Sequence, residues 1–400
     1  MIKKFFLGLL FFLVINNLVV LGQFNEDVSL LGAPNALKVA VPFLMIAPDS
    51  RAGSMGDVGV ASKPDINSQH WNPSKYAFTE NEWGLSLSYT PWLRNLINDI
   101  DLTYLVGYYK FDEQQVVSAS LLYFSLGEFV FTSETNPEPI KTHNANEFAF
   151  DMAYSRKFSE KIGGSVGFKF IHSDLTGGFA QQGQSAAKSG QSYAASISTY
   201  YQTPVKIDKN NGELAFGLNI SNIGTKLSYN DDQTKDFIPT NLRLGGRFTF
   251  DMDEYNQVSF LVDGNKLLVP TPPRYDDFDN SDLITSGMDP NVSVISGMLQ
   301  SFYDAPGGYK EELREISYGV GVEYSYSGQF AVRGGYFDEH MTKGNRKYFT
   351  IGAGVKYNIF KLDFAYLVPR GGHTNPLANT VRFTLGFDFD KSTGRAKRKR

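Results

Sequence analysis

The stretch Glu315-Ile316-Ser317-Tyr318-Gly319-Val320-Gly321-Val322-Glu323-Tyr324-Ser325-Tyr326 alternates without a break. In an extended chain Ile316, Tyr318, Val320, Val322, Tyr324 and Tyr326 fall on one side. Glu315, Ser317, Gly319, Gly321, Glu323 and Ser325 fall on the other. A period of two marks a strand with one dry face and one wet face. The same period returns at Phe148 to Tyr154, at Phe349 to Tyr357 and at Val381 to Phe389.

Working outward from these segments, strands are expected near residues 83–90, 100–110, 115–125, 146–157, 161–172, 190–203 and 213–222. A second set is expected near 240–251, 256–267, 315–327, 329–338, 346–357, 359–368 and 379–389. Most are close to the roughly 9 to 11 residues that a tilted membrane strand requires, and their number, about fourteen, is even. The connections alternate in length. Short ones fall at Phe111 to Gln114, Ser159 to Glu160, Met252 to Tyr255, Gly328 and Asn358. Long ones fall at Gly127 to Ala145, Ser173 to Ser189, Ile223 to Pro239, Leu268 to Arg314 and Pro369 to Ala378. Outer-membrane barrels have short periplasmic turns and longer extracellular loops, whereas a soluble sandwich has no reason to sort its loops this way. One short-side connection, Pro204 to Gly212, is longer than the pattern asks. The fold class is therefore all-β: a transmembrane antiparallel barrel of about fourteen strands over residues 81–390, with inward Gly, Ser, Asp, Glu and Lys giving a polar lumen.

Composition agrees with one large domain. Glycine (38 residues) and aromatics (14%) run evenly along the chain. The net charge of -4 gives no basic field, so nucleic acid is not an expected partner. There is no cysteine, which removes disulfides, thiolate metal sites and thiol nucleophiles. Residues 1–22 read as a signal peptide: Lys3 and Lys4 precede the apolar run Phe5 to Val14, and Gly22 offers a cleavage point. Beyond them no run of 18 apolar residues occurs, so any membrane residence is as a closed barrel.

Residues 23–80 precede the first strand, and from Ala33 to Glu80 they do not alternate. They are rich in Gly, Pro and Asp and long enough to fold into the barrel mouth, since a lumen of this width is not filled by its own side chains. Gly53, Gly56 and Gly59 match neither a P-loop nor a dinucleotide-binding spacing. Pro42-Phe43-Leu44, Ala47-Pro48-Asp49-Ser50-Arg51-Ala52-Gly53, Met55-Gly56-Asp57-Val58-Gly59-Val60-Ala61 and Trp71-Asn72-Pro73-Ser74-Lys75 resemble the PorV family. PorV is an outer-membrane component of the Bacteroidetes type IX secretion system, within the group of barrels similar to the long-chain fatty-acid transporter FadL. The close match covers about thirty residues.

The resemblance implies a hatch in the lumen. It also implies a non-enzymatic outer-membrane protein that binds the translocon pore, accepts cargo with a C-terminal signal domain and delivers it to a sortase-like surface attachment complex. Outer-membrane lipid would surround it. Asp49, Arg51, Gly53, Gly56, Asp57, Asp65, Trp71, Asn72 and Pro73 are the hatch residues in or beside the motif. Arg51 is expected to pair with a carboxylate, because an unpaired charge in the lumen is costly. The FadL likeness leaves an alternative, a transporter of small hydrophobic molecules.

The connection from Leu268 to Arg314 has forty-seven residues and is expected to carry partner binding. Its Pro270, Pro272, Pro273, Asp276, Asp277 and Asp279 suggest an ordered, negatively charged surface. No cofactor, metal or catalytic residue is called for: His70, His143, His172, His340 and His373 are scattered without ligand spacing, and no Gly-x-Ser-x-Gly elbow occurs. Residues 391–400 form a basic periplasmic tail, expected to be solvated.

Overall fold

A computed structural model of the chain describes residues 34–94, 97, 99–132, 138–178, 188–208, 210–229, 235–275, 283–370, 377 and 380–389. The expected signal peptide, Asp276, Asp277, Asp279 and the expected periplasmic tail lie outside the described residues.

Fourteen antiparallel strands close into a barrel. They are β1 (Trp83–Pro91), β2 (Asp101–Lys110), β3 (Gln115–Phe131), β4 (Lys141–Lys157), β5 (Ile162–Asp174), β6 (Gly190–Ile207) and β7 (Asn210–Gly224). After these come β8 (Asn241–Asp251) and β9 (Asn256–Leu267). A small ribbon, β10 (Arg274–Tyr275) with β11 (Ile284–Ser286), stands apart from the wall. The wall resumes with β12 (Ser317–Tyr326), β13 (Phe330–Asp338), β14 (Lys347–Tyr357), β15 (Phe360–Pro369) and β16 (Val381–Phe389). Each barrel strand pairs with its neighbours in sequence, β9 pairs with β12, and β16 closes on β1 from Trp83↔Phe389 to Tyr89↔Phe383. Closure leaves the wall no free edge, which a hydrocarbon layer demands.

The alternation decides which face is dry. In β1, Trp83, Leu85, Leu87 and Tyr89 are exposed outward while Ser86, Ser88 and Thr90 are buried. In β16, Phe383 and Leu385 face out, and Arg382, Thr384 and Asp388 face in. An apolar exterior over a buried polar interior is the arrangement of a barrel solvated by lipid. Both chain ends of the barrel share a rim with the short turns. At Ser327 and Gly328, φ is 54° and 65°, as a two-residue turn that follows strand twist requires.

Three details differ from the sequence reading. β3 runs on to Phe131 and β4 begins at Lys141, paired Phe131↔Lys141, so strand takes up both ends of the connection expected at Gly127 to Ala145. β6 and β7 continue to Ile207 and from Asn210, paired Lys206↔Asn211, so the connection expected at Pro204 to Gly212 is a tight turn. The inner wall is not uniformly polar. On β2 the inward residues are Leu102, Tyr104, Val106 and Tyr108, joined by Val116, Leu122 and Phe124 of β3 in one apolar cluster with Phe43, Leu44, Ile66 and Tyr76. Burying that cluster draws the N-terminal segment onto this side of the lumen, at about 25 cal/mol for each Å2 of apolar surface removed from water.

Candidate functional site

The segment from Asn35 to Glu82 lies within the barrel as short helical turns held by side chains. Asp49 caps the turn α1 (Ser50–Gly53): its Oδ2 accepts from Ala52 N at 3.0 Å. Its Oδ1 accepts from Trp71 Nε1 at 2.6 Å, tying α1 to the end of α2 (Ser68–Trp71). Burial pushes the Asp49 carboxyl up to about 6. Asn72 caps the 3-10 turn Pro73–Phe78 through Ser74 N (3.1 Å), and its amide donates to Val60 O (2.9 Å) and Thr199 O (3.0 Å). Buried Lys75 donates to Gly59 O and Ser62 Oγ, each at 2.8 Å, and burial lowers its ammonium to about 8.

The wall grips this segment with inward side chains. Asp263 accepts from Gly59 N (2.7 Å) and Val60 N (3.0 Å). Thr350 Oγ1 accepts from Gly56 N at 2.8 Å, and Thr384 Oγ1 from Ser50 N at 2.9 Å. Ser155 Oγ donates to Pro73 O at 2.8 Å, and Asn219 Nδ2 to Trp71 O at 2.9 Å. Five charges form a chain: Asp65 to Arg51 (2.8 Å), Arg51 to Glu323 (3.0 Å), Glu323 to Arg333 (2.6 Å) and Arg333 to Asp363 (2.5 Å). Asp57 accepts from Tyr348 Oη (2.6 Å) and pairs with Arg382 (3.3 Å).

Inward glycines let the two backbones meet. A Cβ on Gly335 would stand 2.0 Å from Met55 C, one on Gly217 2.1 Å from Val60 O, and one on Gly319 2.5 Å from Gly56 O. Real Cβ atoms do not come that close to backbone, so the glycines on β7, β12 and β13 are a cast of the segment.

Two cavities flank the segment, and no lining residue is common to both. The one of about 720 Å3 opens among the short turns and is lined by Arg51, Lys63, Asp65, Gln257, Glu323 and Lys356. The other, about 220 Å3, lies toward the long loops between Leu37, Leu44, Met45, Leu267 and Phe337. Into it faces Arg243, its guanidinium 4.4 Å from the Trp71 ring centroid and its Nε donating to Asn265 at 2.5 Å. His70 lines the same cavity, and burial holds its imidazole well below the usual value, so it is neutral.

Above the long-loop rim the described residues of the connection from Leu268 to Glu315 form β10, β11, α3 (Val294–Gln300) and α4 (Tyr309–Arg314). Its root is a buried ion cluster. Lys266 contacts Glu312 (3.0 Å) and Glu315 (2.7 Å), and Lys343 contacts Glu311 (2.6 Å) and Glu315 (2.9 Å). Asn35 Nδ2 joins by donating to Glu311 Oε1 at 2.9 Å. Nearby, Asp304 Oδ2 accepts from Thr271 N at 3.2 Å, while its buried Oδ1 has no partner. So anchored, the loop exposes large apolar groups: Ile295 (60%), Leu299 (63%) and Tyr303 (64%), and also Phe302 and Leu313. Ile295 and Leu299 are four residues apart on α3 and share a face.

The structure brings together all nine residues expected in the hatch. Asp49, Trp71 and Asn72 hold turns to one another, Arg51, Asp57 and Asp65 enter ion pairs, Pro73 accepts from Ser155, and Gly53 and Gly56 lie against Arg382 and Tyr336. Pro270 is buried against Gly297, the Pro272 carbonyl accepts from Asn35 at 3.2 Å, and half-buried Pro273 lies against Gly287. The sequence reading missed the wall partners Glu323, Arg333, Asp263, Asp363 and Arg382, although charge at an inward strand position was the signal for each.

No curated protein matches the sequence significantly. Among solved structures, the Pseudomonas putida toluene transporter TodX is 11% identical, with 90% of this chain and 100% of that one covered at a TM-score of 0.47. The Ralstonia pickettii toluene transporter TbuX is 11% identical, covering 86% and 98% at 0.45. A Pseudomonas aeruginosa FadL homologue is 8% identical, covering 90% and 100% at 0.41. The family model of the type IX secretion system protein PorV matches residues 32–274, from the luminal segment through β9 and into β10. With more than half of its length matched, a closed barrel and an apolar exterior, the chain is an outer-membrane protein that belongs to the PorV family of type IX secretion.

Proposed function

We propose that this barrel handles other proteins at its extracellular face, binding the translocon pore and receiving secreted cargo there for transfer to the surface attachment complex. It does so by binding, without catalysis. The observation that carries the reading is the α3 face: Ile295, Leu299 and Tyr303 are held out in solvent by a loop whose root is locked by five buried charges. An ordered, exposed apolar patch on a soluble loop is a cost unless a partner covers it. The luminal segment, pinned on every side, serves as a fixed plug, so cargo passes outside this lumen.

Extraction in mild detergent followed by affinity purification tests this. A large pore protein and secreted cargo should come with the wild type, and Leu299→Asp should lose them while the barrel keeps its heat-dependent gel mobility. Unchanged recovery with Leu299→Asp would count against the loop.

A second reading rests on the 220 Å3 cavity, whose Leu37, Leu44, Met45 and Phe337 would take a small hydrophobic molecule on one side, although Lys169, Arg243, Glu339 and Arg346 line it too. Passage through the barrel would then require the luminal segment to move.

A further inference from the structure

The outer wall carries a groove that the secretion reading does not use. Strand register stacks the outward residues of β4 to β7 in rows. Tyr154, Val166, Ile197 and Ile220 are successive partners in one row, and Ile162, Tyr201 and Phe216 form another, nearer the short turns. The row between them is Arg156, Gly164, Thr199 and Leu218. Gly164 is covered by the Phe158 ring and Thr199 is small, so beyond Phe158 the middle row sinks into a groove of about 520 Å3. Its apolar walls are Tyr154, Val166, Ile197 and Ile220 of the first row, with Leu218 and with Phe158, whose ring lies against Gly164.

Arg156 stands at one end of this groove. It is exposed, and among the described residues its side chain makes no hydrogen bond or ion pair. The carboxylate that feels its charge, Asp112 of the β2–β3 turn, is engaged by Gln114 N and Gln115 Nε2, each at 2.7 Å. A cation on the lipid face is tolerated only toward the interface, and Arg156 is two residues from a short turn, at the periplasmic side. There a guanidinium meets lipid phosphate, which it matches in charge and in planar donor geometry.

We propose that this wall binds one phospholipid of the periplasmic leaflet, with its phosphate on Arg156 and an acyl chain laid along Phe158 and over Thr199. The apolar walls account for the chain and the unpaired guanidinium for the anionic headgroup. Neither feature alone selects a phospholipid, but their juxtaposition at the leaflet boundary does.

The test uses the full chain extracted in a mild non-ionic detergent, with bound phospholipid counted by native mass spectrometry before and after adding dioleoyl phosphatidylglycerol. Wild type should retain one phospholipid per barrel. Arg156→Ala removes the headgroup contact and Thr199→Phe fills the groove with the arginine in place; each should lower retention about fivefold or more. Leu385→Phe, on the outward face of β16, should retain lipid as wild type does. Equal retention in all four proteins would overturn the proposal, as would a dimer mass that Thr199→Phe abolishes, which would assign the groove to a second copy of the chain. Arg156→Ala leaves the apolar walls of the groove and the backbone untouched, so it decides the matter even if Thr199→Phe fails to fold.

Discussion

Arg51 and Glu323 are separated by 272 positions in the chain, yet they form a two-point pair in the lumen, Nε to Oε2 at 3.1 Å and Nη2 to Oε1 at 3.0 Å. Arg333 reaches the same carboxylate, so one wall residue neutralises a cation from the plug and another from the barrel. Removing that carboxylate leaves two buried guanidinium groups facing each other. Glu323→Gln should therefore destabilise the folded barrel by about 3 to 5 kcal/mol. The check is the urea midpoint of the folded band on a semi-native gel; a midpoint equal to wild type would mean that the pair holds nothing.

The glycine cast makes a paired prediction on neighbouring residues. Gly335 faces in, where a side chain would drive into Met55, whereas Gly334 faces out with its nearest neighbour, Thr350 O, at 3.8 Å. Gly335→Val should loosen the luminal segment, and Gly334→Val should not. Planar-bilayer conductance and proteolysis at Arg51 and Lys63 read the difference: only Gly335→Val should open the pore and expose those sites.

Asp304 gives the loop a pH dependence. Burial pushes its carboxyl up from 3.8 to about 6, with Glu312 and Glu315 adding like charge. A folded-state value above the unfolded one means that the folded loop holds the proton more tightly, so this stability is present at low pH and is lost as pH rises from about 4 through about 6. The full shift corresponds to about 3 kcal/mol at neutral pH, and solvent screening of the carboxyl brings the expected cost to about 2 kcal/mol. Asp304→Asn, neutral throughout, should make the loop more resistant to protease at pH 7.5 and flatten the profile between pH 4 and 7. A wild-type loop equally resistant at both ends of that range would contradict it.

On the α3 face, Ile295→Asp and Leu299→Asp change exposed side chains and should leave barrel stability within about 0.5 kcal/mol. Recovery of the pore protein should fall with each. Loss of recovery together with loss of the folded gel band would instead place these residues in the fold.

How far the residues announce this structure depends on the range of the forces. The run from Ile316 to Tyr326 is legible because a period of two is written locally, and closure follows from the parity of the loops. At residues 100–110, Leu102, Thr103, Tyr104, Leu105, Val106 and Gly107 are almost all apolar, so alternation could not say that Leu102, Tyr104 and Val106 face a packed lumen. Pro204, Lys206 and Asp208 look like loop residues, yet Pro204↔Glu213 and Lys206↔Asn211 continue the ladder beyond the apolar band. The hatch motif was visible as a motif, but not its partners: a contact such as Arg51 to Glu323 is made by three-dimensional closure, and only the inward parity of Glu323 hinted at it.

The claim on which the account turns is that the luminal segment stays fixed while the work is done outside. The native chain has no cysteine, so Ser50→Cys with Thr384→Cys, whose hydroxyls lie 3.0 Å apart, can be joined as a single disulfide that locks α1 to β16. Cargo secretion by cells carrying the locked barrel should equal that of the same variant kept reduced. Secretion that stops on oxidation and returns with reductant would show that the segment must move, and would contradict the account.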